Sequence, residues 1–229
     1  MCNTDEERWN IARKTMIKSD FILGEYLKHA MLSDIKHLGF SLSRYKFAAK
    51  MLMYKPLLRV CELGCSEAIG GVMLKQNTQL LRYVGIDLDK EAIKWNRENL
   101  SDEEFVFING NFLDEKCTEE RFDAVISLDV IEHIKPDNED LFCKRMVDKL
   151  EDEGVAIIGT PNVSMRPYAN ESARIVHINN YDQQRLYETM TKYFRNVFIF
   201  GMNDEIVNTG FEPMACYLFA ICTGRRIIY

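Results

Sequence analysis

Four side chains in this sequence could act together: Asp129, Glu132, His133 and, far along the chain, His177. Asp129 follows the apolar run Phe122-Asp123-Ala124-Val125-Ile126-Ser127-Leu128 and so stands at its carboxyl end. If a helical turn begins there, Asp129 shares a face with Glu132 at i+3 and His133 at i+4. His177 lies in residues 161–181, about twenty residues without clear periodicity, and loops that long are usually functional. That loop also carries Asn162, Arg166, Tyr168, Asn170, Glu171 and Arg174. An imidazole titrates near neutral pH, so His133 and His177 are candidates for a general base that takes a proton from a hydroxyl. A further acid, Asp87, ends another apolar run, and its two oxygens can accept hydrogen bonds from two hydroxyls. His29 and His37, near the N-terminus, have no comparable partners in the pattern.

These residues need elements to hold them. Ile17, Phe21, Leu23, Tyr26, Leu27, Met31 and Ile35 recur at helical spacing, as do Tyr45, Phe47, Ala48, Met51 and Leu52, until Pro56 breaks the pattern. From there strand-like runs at 58–63, 82–86, 105–108, 122–127 and 155–159 alternate with helical ones. The helices are expected over 69–76, 90–100 and 141–150, the last followed by Gly154 as a stop signal. After a helix near 183–193, two strands at 197–200 and 217–221 have no periodic helix between them, which points to an antiparallel strand near the C-terminus. The expectation is a seven-stranded, mostly parallel α/β sheet with helices on both faces. Residues 1–55 form an N-terminal helical cap and residues 56–229 the main domain. In such sheets ligands bind beyond the carboxyl ends of the strands, which is where Asp87 and Asp129 fall.

Composition narrows the function classes. The chain has 229 residues, a formal net charge of −6 and 47% hydrophobic residues, an ordinary globular balance. It has no long basic tail and no aromatic-laced recognition module, so nucleic acid is not an expected partner. Its apolar runs are strand-sized, and its charged N-terminus is no secretory segment. Seven scattered cysteines form no C-x-x-C pair. Reduced thiols in a cytoplasmic protein are the simpler reading. The Met-bearing and aromatic faces of the cap could serve a homodimer.

The turn after the first strand, Glu62-Leu63-Gly64-Cys65-Ser66-Glu67-Ala68, is decisive. A dinucleotide G-x-G-x-x-G would need glycine where Ser66 and Ile69 stand, which disfavours NAD and FAD. The segment instead resembles motif I, E-x-G-C-G-x-G, of class I S-adenosylmethionine-dependent methyltransferases. The likeness continues in order through Tyr83-Val84-Gly85-Ile86-Asp87, Asn109-Gly110-Asn111-Phe112, residues 122–134 and Gly159-Thr160-Pro161-Asn162. It departs at Ser66 and Ala68, which replace two usual glycines. The resemblance implies a Rossmann-like fold and S-adenosylmethionine as cofactor. It assigns Glu62 to holding the loop, and Gly64, Cys65 and Ser66 to the methionine end of the cofactor. It assigns Asp87 to the ribose, Leu88, Asn111 and Phe112 to adenine, and Ser127 and Asp129 to the cofactor edge of strand four.

For Asp129-x-x-Glu132-His133 the resemblance offers two readings. In quinone-type small-molecule methyltransferases the similar Val-Ile-Glu-His-Ile segment lines the acceptor pocket without metal. The small-RNA 3′-end methyltransferases have a similar E-x-x-E-H pattern with a later His, which hold a divalent metal. On that likeness Asp129, Glu132, His133 and His177 would bind Mn2+ or Mg2+, with Asp in place of the first Glu. A Ser-Arg-Tyr-Lys-Phe helix before motif I, and Thr-Pro-Asn before the His-bearing loop, look like bacterial surface-polysaccharide methyltransferases. That likeness makes a sugar or nucleotide-activated sugar hydroxyl the expected acceptor, with Arg166 and Arg174 placed to meet a phosphate. A non-catalytic binding module on the same fold is the alternative from a different class.

Overall fold

Strand β1 (Leu58–Leu63) is buried along nearly its whole length, as a strand covered on both faces must be. In the computed structural model, which describes residues 4–16, 23–114 and 117–226, it lies near the middle of one mixed sheet. The other strands are β2 (Leu80–Asp87), β3 (Phe105–Asn109), β4 (Phe122–Leu128), β5 (Leu150–Pro161), β6 (Phe194–Asn203), β7 (Ile206–Asn208) and β8 (Tyr217–Arg225). Their order is β3-β2-β1-β4-β5-β8-β6-β7. The first five pair in parallel, and β8 runs antiparallel between β5 and β6.

The sheet has eight strands where the sequence predicts seven. The addition is β7, an edge strand of three residues forming a hairpin with β6. Three residues give little more than one period of alternation, so the pattern is too short to read. The antiparallel strand near the C-terminus is present as β8, inside the sheet between β5 and β6.

The helices are α1 (Asp5–Met16), α2 (Glu25–Ser33), α3 (Ile35–Leu52), α4 (Ile69–Asn77), α5 (Lys90–Asn99), α6 (Glu139–Asp148), α7 (Glu171–Val176) and α8 (Gln183–Thr191), of which α3, α4 and α5 cover one face of the sheet and α6 and α8 the other. The two-residue period of the strands splits the core. Cys61, Leu63, Val84 and Ile86 face Phe142 and Met146 of α6 and Leu186 and Met190 of α8. Their neighbours Val60 and Tyr83 face Tyr45 and Leu52 of α3, Leu74 of α4 and Ile93 of α5. Of the cap's predicted helical residues, Ile17 and Phe21 lie outside the described residues, Leu23 precedes α2 in irregular backbone, and α2 and α3 hold the rest. Among the described residues no helix is long and apolar enough to cross a membrane.

The loop at 161–181 is more ordered than its lack of periodicity suggests. A 3-10 segment (Val163–Tyr168) is capped by the Asn162 side chain, and α7 by that of Asn170. Strand order reverses between β1 and β4, so the carboxyl ends of β1, β2 and β4 open onto one crevice.

Candidate active site

That crevice is a cavity of about 940 Å³. Gly64, Cys65, Ser66, Asp87, Leu88, Asn111, Phe112, Asp129, Glu132, His133 and His177 all border it. Glu62, assigned to holding the loop, and Ser127, assigned to the cofactor edge of strand four, do not. Glu62 lies beneath the loop, and Ser127 is fully buried within β4 because the chain turns only at Asp129 (φ 57). The cavity wall at β4 is therefore Leu128, Asp129 and Val130. Phe112 reaches the cavity but packs edge-on against Phe142, 4.9 Å between centroids, as a core residue.

The loop after β1 is wound in left-handed turns. Gly64 has φ 78, and the residues replacing the usual glycines keep the same sense, Ser66 at φ 44 and Ala68 at φ 52. A Cβ on Gly64 would collide with Val130, so glycine is required there by space as well as by conformation. The amides of Gly64 and Cys65 donate to the Ile86 carbonyl at 2.8 and 3.2 Å. The amide of Ser66 donates to Asp87 Oδ2 at 2.8 Å, and that of Asp89 to Asp87 Oδ1 at 2.8 Å. Asp87 is thus fixed by two backbone donors, with lone pairs left for a ligand. Leu88, 68% exposed, offers an open apolar face beside it.

Glu62 supports the loop from below. Tyr45 of α3 donates to its Oε1 at 2.6 Å, and Tyr83 of β2 donates to its Oε2. Complete burial raises its pKa to about 7, against the lowering effect of the two tyrosines.

Glu132, His133 and His177 each offer a ligand atom, all within 4.8 Å of one another. The pairing spans the chain because the turn and the loop share backbone bonds. The Glu132 carbonyl accepts from the amides of Ile178 (2.9 Å) and Asn179 (3.0 Å). Arg166 holds the other side, donating to the His177 carbonyl at 2.9 Å and to Asn180 Oδ1 at 3.3 Å. Asn179 donates to Glu139 Oε2 at 3.0 Å, and Arg185 of α8 lies 2.7 Å from the same oxygen. Glu132 is buried, with Oε2 accepting from the Thr160 hydroxyl at 3.0 Å and Oε1 without a partner. Burial and the charge of Asp129 raise its pKa to about 8. His133 Nδ1 lies 3.2 Å from the Val176 carbonyl. Burial, then the neighbouring His133, lowers the pKa of His177.

The fourth expected ligand, Asp129, is not in this cluster. The helical face proposed for residues 129–133 does not form, because Asp129 is left-handed and the 3-10 turn begins at Ile131. Its carboxylate instead meets Arg44 of α3 at 2.5 Å. Arg44 is buried, its guanidinium lies 3.9 Å over the Tyr217 ring, and its Nε has no partner. Sequence reading gave Arg44 no role, although an arginine on the buried face Arg44-Tyr45-Ala48-Ala49-Leu52 is a usable signal. Glu67, Tyr217 and Thr160 were also missed, and His37, set aside in the sequence, borders the cavity. Arg166 is spent on the His177 loop and does not border the cavity.

Residues 61–158 match the family model described as a methyltransferase domain. The search of curated proteins finds no match to the chain. Among solved structures, the chain resembles one in the Haloferax volcanii complex of the Trm112 methyltransferase activator with a methyltransferase. The TM-score is 0.67 at 13% identity, over 90% of this chain and 100% of that one. It resembles the methyltransferase domain of a bacterial Hen1 (TM-score 0.64, 15% identity, 80% and 99% covered). It also resembles the N-methyltransferase NodS of Bradyrhizobium japonicum in complex with S-adenosylhomocysteine (TM-score 0.57, 14% identity, 93% and 97% covered). The chain therefore has the fold of the class I S-adenosylmethionine-dependent methyltransferases, and residues 61–158 are similar to a methyltransferase domain.

Proposed function

We propose that this protein transfers a methyl group from S-adenosylmethionine to a hydroxyl of a small molecule, a sugar or nucleotide-activated sugar, with a divalent cation at Glu132, His133 and His177. The observation that carries this reading is the opening of Asp87, its left-handed loop and the three ligand side chains onto one cavity.

The residues present fit both groups. For the cofactor, Asp87 keeps lone pairs for ribose hydroxyls, and Gly64, Cys65 and Ser66 border the cavity where its methionine end would lie. For the cation, Glu132 Oε1 is a buried oxygen without a partner, and one carboxylate with two imidazoles suits a transition ion such as Mn2+ better than Mg2+, which prefers oxygen ligands. A His133 protonated at Nδ1 donates to the Val176 carbonyl and leaves Nε2 free as an acceptor.

The transfer breaks the donor's sulfur–methyl bond, forms a carbon–oxygen bond, and releases the hydroxyl proton. A bound cation would lower the pKa of that hydroxyl. The chain's own share is alignment, which can supply much of the acceleration, and proton acceptance. Where no cation is bound, His177, kept neutral by its lowered pKa, would take the proton instead. Ser41, Asn138, Asn170 and Ser172 border the cavity and suit a hydroxyl-rich acceptor.

A nucleotide-sugar panel incubated with S-adenosylmethionine, read for the mass of one added CH2, tests the acceptor. EDTA should abolish turnover and Mn2+ restore it. Tyr26, Leu27, Ala30, Leu38 and Ile134 also border the cavity and favour a second reading, metal-independent methylation of an aromatic quinol. Full activity in EDTA on a catechol substrate would select it. No binding of S-adenosylmethionine by calorimetry would leave only a non-catalytic module.

A further inference from the structure

Glu67 belongs to the loop that cradles the cofactor site, yet its carboxylate is directed at the helical cap. It accepts from the backbone amides of Tyr26 at 2.7 Å and Leu27 at 2.9 Å, in the first turn of α2. The first amides of a helix have no partner within it, and a carboxylate there also meets the positive end of the helix dipole. The N-cap residue of α2 is Gly24, which has no side chain to do this, and a Cβ on it would run into the Glu67 carboxylate. Glu67 itself is 7% exposed.

The position of Glu67 is set by the loop on either side of it. Ser66 and Ala68 flank it, both at positive φ. Ser66 is tied at both ends of its peptide: its amide to Asp87, and its carbonyl to Asn96 Nδ2 of α5 at 2.7 Å. On the far side α2 contributes Tyr26, Leu27 and Ala30 to the cavity wall. Contacts therefore run without a gap from Asp87 through Ser66 and Glu67 to α2.

We propose that Glu67 is a positioning residue that couples the cofactor loop to the α2 wall, so that cofactor binding completes the acceptor side of the cavity and precedes acceptor binding. This rests on reading the cavity as an S-adenosylmethionine site. A ligand seated on Asp87 holds the Asp87–Ser66 bond closed and so keeps Glu67 on the amides at the start of α2.

The test is hydrogen exchange of the full chain with and without S-adenosylhomocysteine, at saturation verified for each variant by calorimetry. In the wild type the amides of residues 25–33 should exchange about fivefold more slowly with ligand, the equivalent of a typical cap of about 1 kcal/mol. Glu67→Ala should abolish that ligand-dependent slowing, and Glu67→Gln, which keeps an acceptor oxygen, should restore part of it. Gly24→Ala displaces the carboxylate from the other side and should give the same loss, which keeps the test usable if Glu67→Ala does not fold. Slowing that persists in both alanine variants, or is absent from a wild type with ligand bound, overturns the coupling. If calorimetry finds no binding to the wild type, the methyltransferase reading fails and the coupling fails with it.

Discussion

Arg44 and Asp129 stand 85 positions apart in the chain, and their charged groups lie 2.5 Å apart at the edge of the cavity. The Arg44 side chain is 9% exposed and that of Asp129 is 38% exposed. Removing the arginine leaves a half-buried carboxylate beside Glu132. A fully buried pair would lose several kcal/mol, and solvent at Asp129 reduces that to about 2 kcal/mol. Arg44→Met should therefore destabilise the fold by that amount in urea denaturation. Adding Asp129→Asn should recover part of the loss, and simple additivity in the double-mutant cycle would contradict the pairing.

The buried carboxyl of Glu62 makes stability depend on pH. Its folded pKa is about 7 against an ordinary value of 4.5, so between those values the folded state holds a proton that the unfolded state releases. The stabilisation is complete below 4.5, declines as pH rises, and is gone above about 7. The difference is about 3 kcal/mol. Glu62→Gln stays neutral, so its melting temperature should vary less than that of the wild type across this window. At pH 8 the variant should be the more stable of the two. Parallel curves for the two proteins would refute the assignment.

Gly64→Ala combines two penalties. Alanine at φ 78 costs roughly 1–2 kcal/mol, and its Cβ meets Val130. Calorimetry should show S-adenosylhomocysteine affinity reduced at least about tenfold. Gly64→Ala with Val130→Ala should recover the steric part and leave the conformational part. No recovery would mean that Val130 is not the obstacle.

Arg166 separates metal support from phosphate recognition. Because it holds the His177 carbonyl, Arg166→Ala should weaken Mn2+ binding about tenfold, as loss of an outer support typically does. S-adenosylhomocysteine affinity should stay unchanged. Intact Mn2+ binding with a selective loss for phosphate-bearing acceptors would instead make Arg166 a phosphate contact.

Local patterns carried much of this architecture. The alternation of strands and helices from Leu58 to Gly159, the turn after β1 and the acid after β2 follow from the residues around them. Glu132 and His133 were legible as neighbours, and His177 because a long unpatterned loop held few other groups with its chemistry. What escaped depends on distant contacts. Asp129 was expected on a helical face, but its left-handed backbone and the arginine on α3 decide where its carboxylate goes. Glu67 has no role in the sequence reading, because its partners are backbone amides 40 and 41 positions away that no side-chain pattern announces. Ser127 is expected at the cofactor edge, but β4 continues past it and the chain turns only at Asp129.

The substitutions at Ser66 and Ala68 bear on the rate of ligand capture. A loop with glycine at these places would sample many shapes before binding, and a ligand would have to freeze one of them. Here two side chains already confine the backbone, with Asp87 and Asn96 bonded to it. The strain is borne by the folded protein at all times, so less conformational entropy is lost when the ligand arrives. The loop is thus shaped before capture, and the ordering that remains for the ligand to impose lies beyond Glu67, at the start of α2.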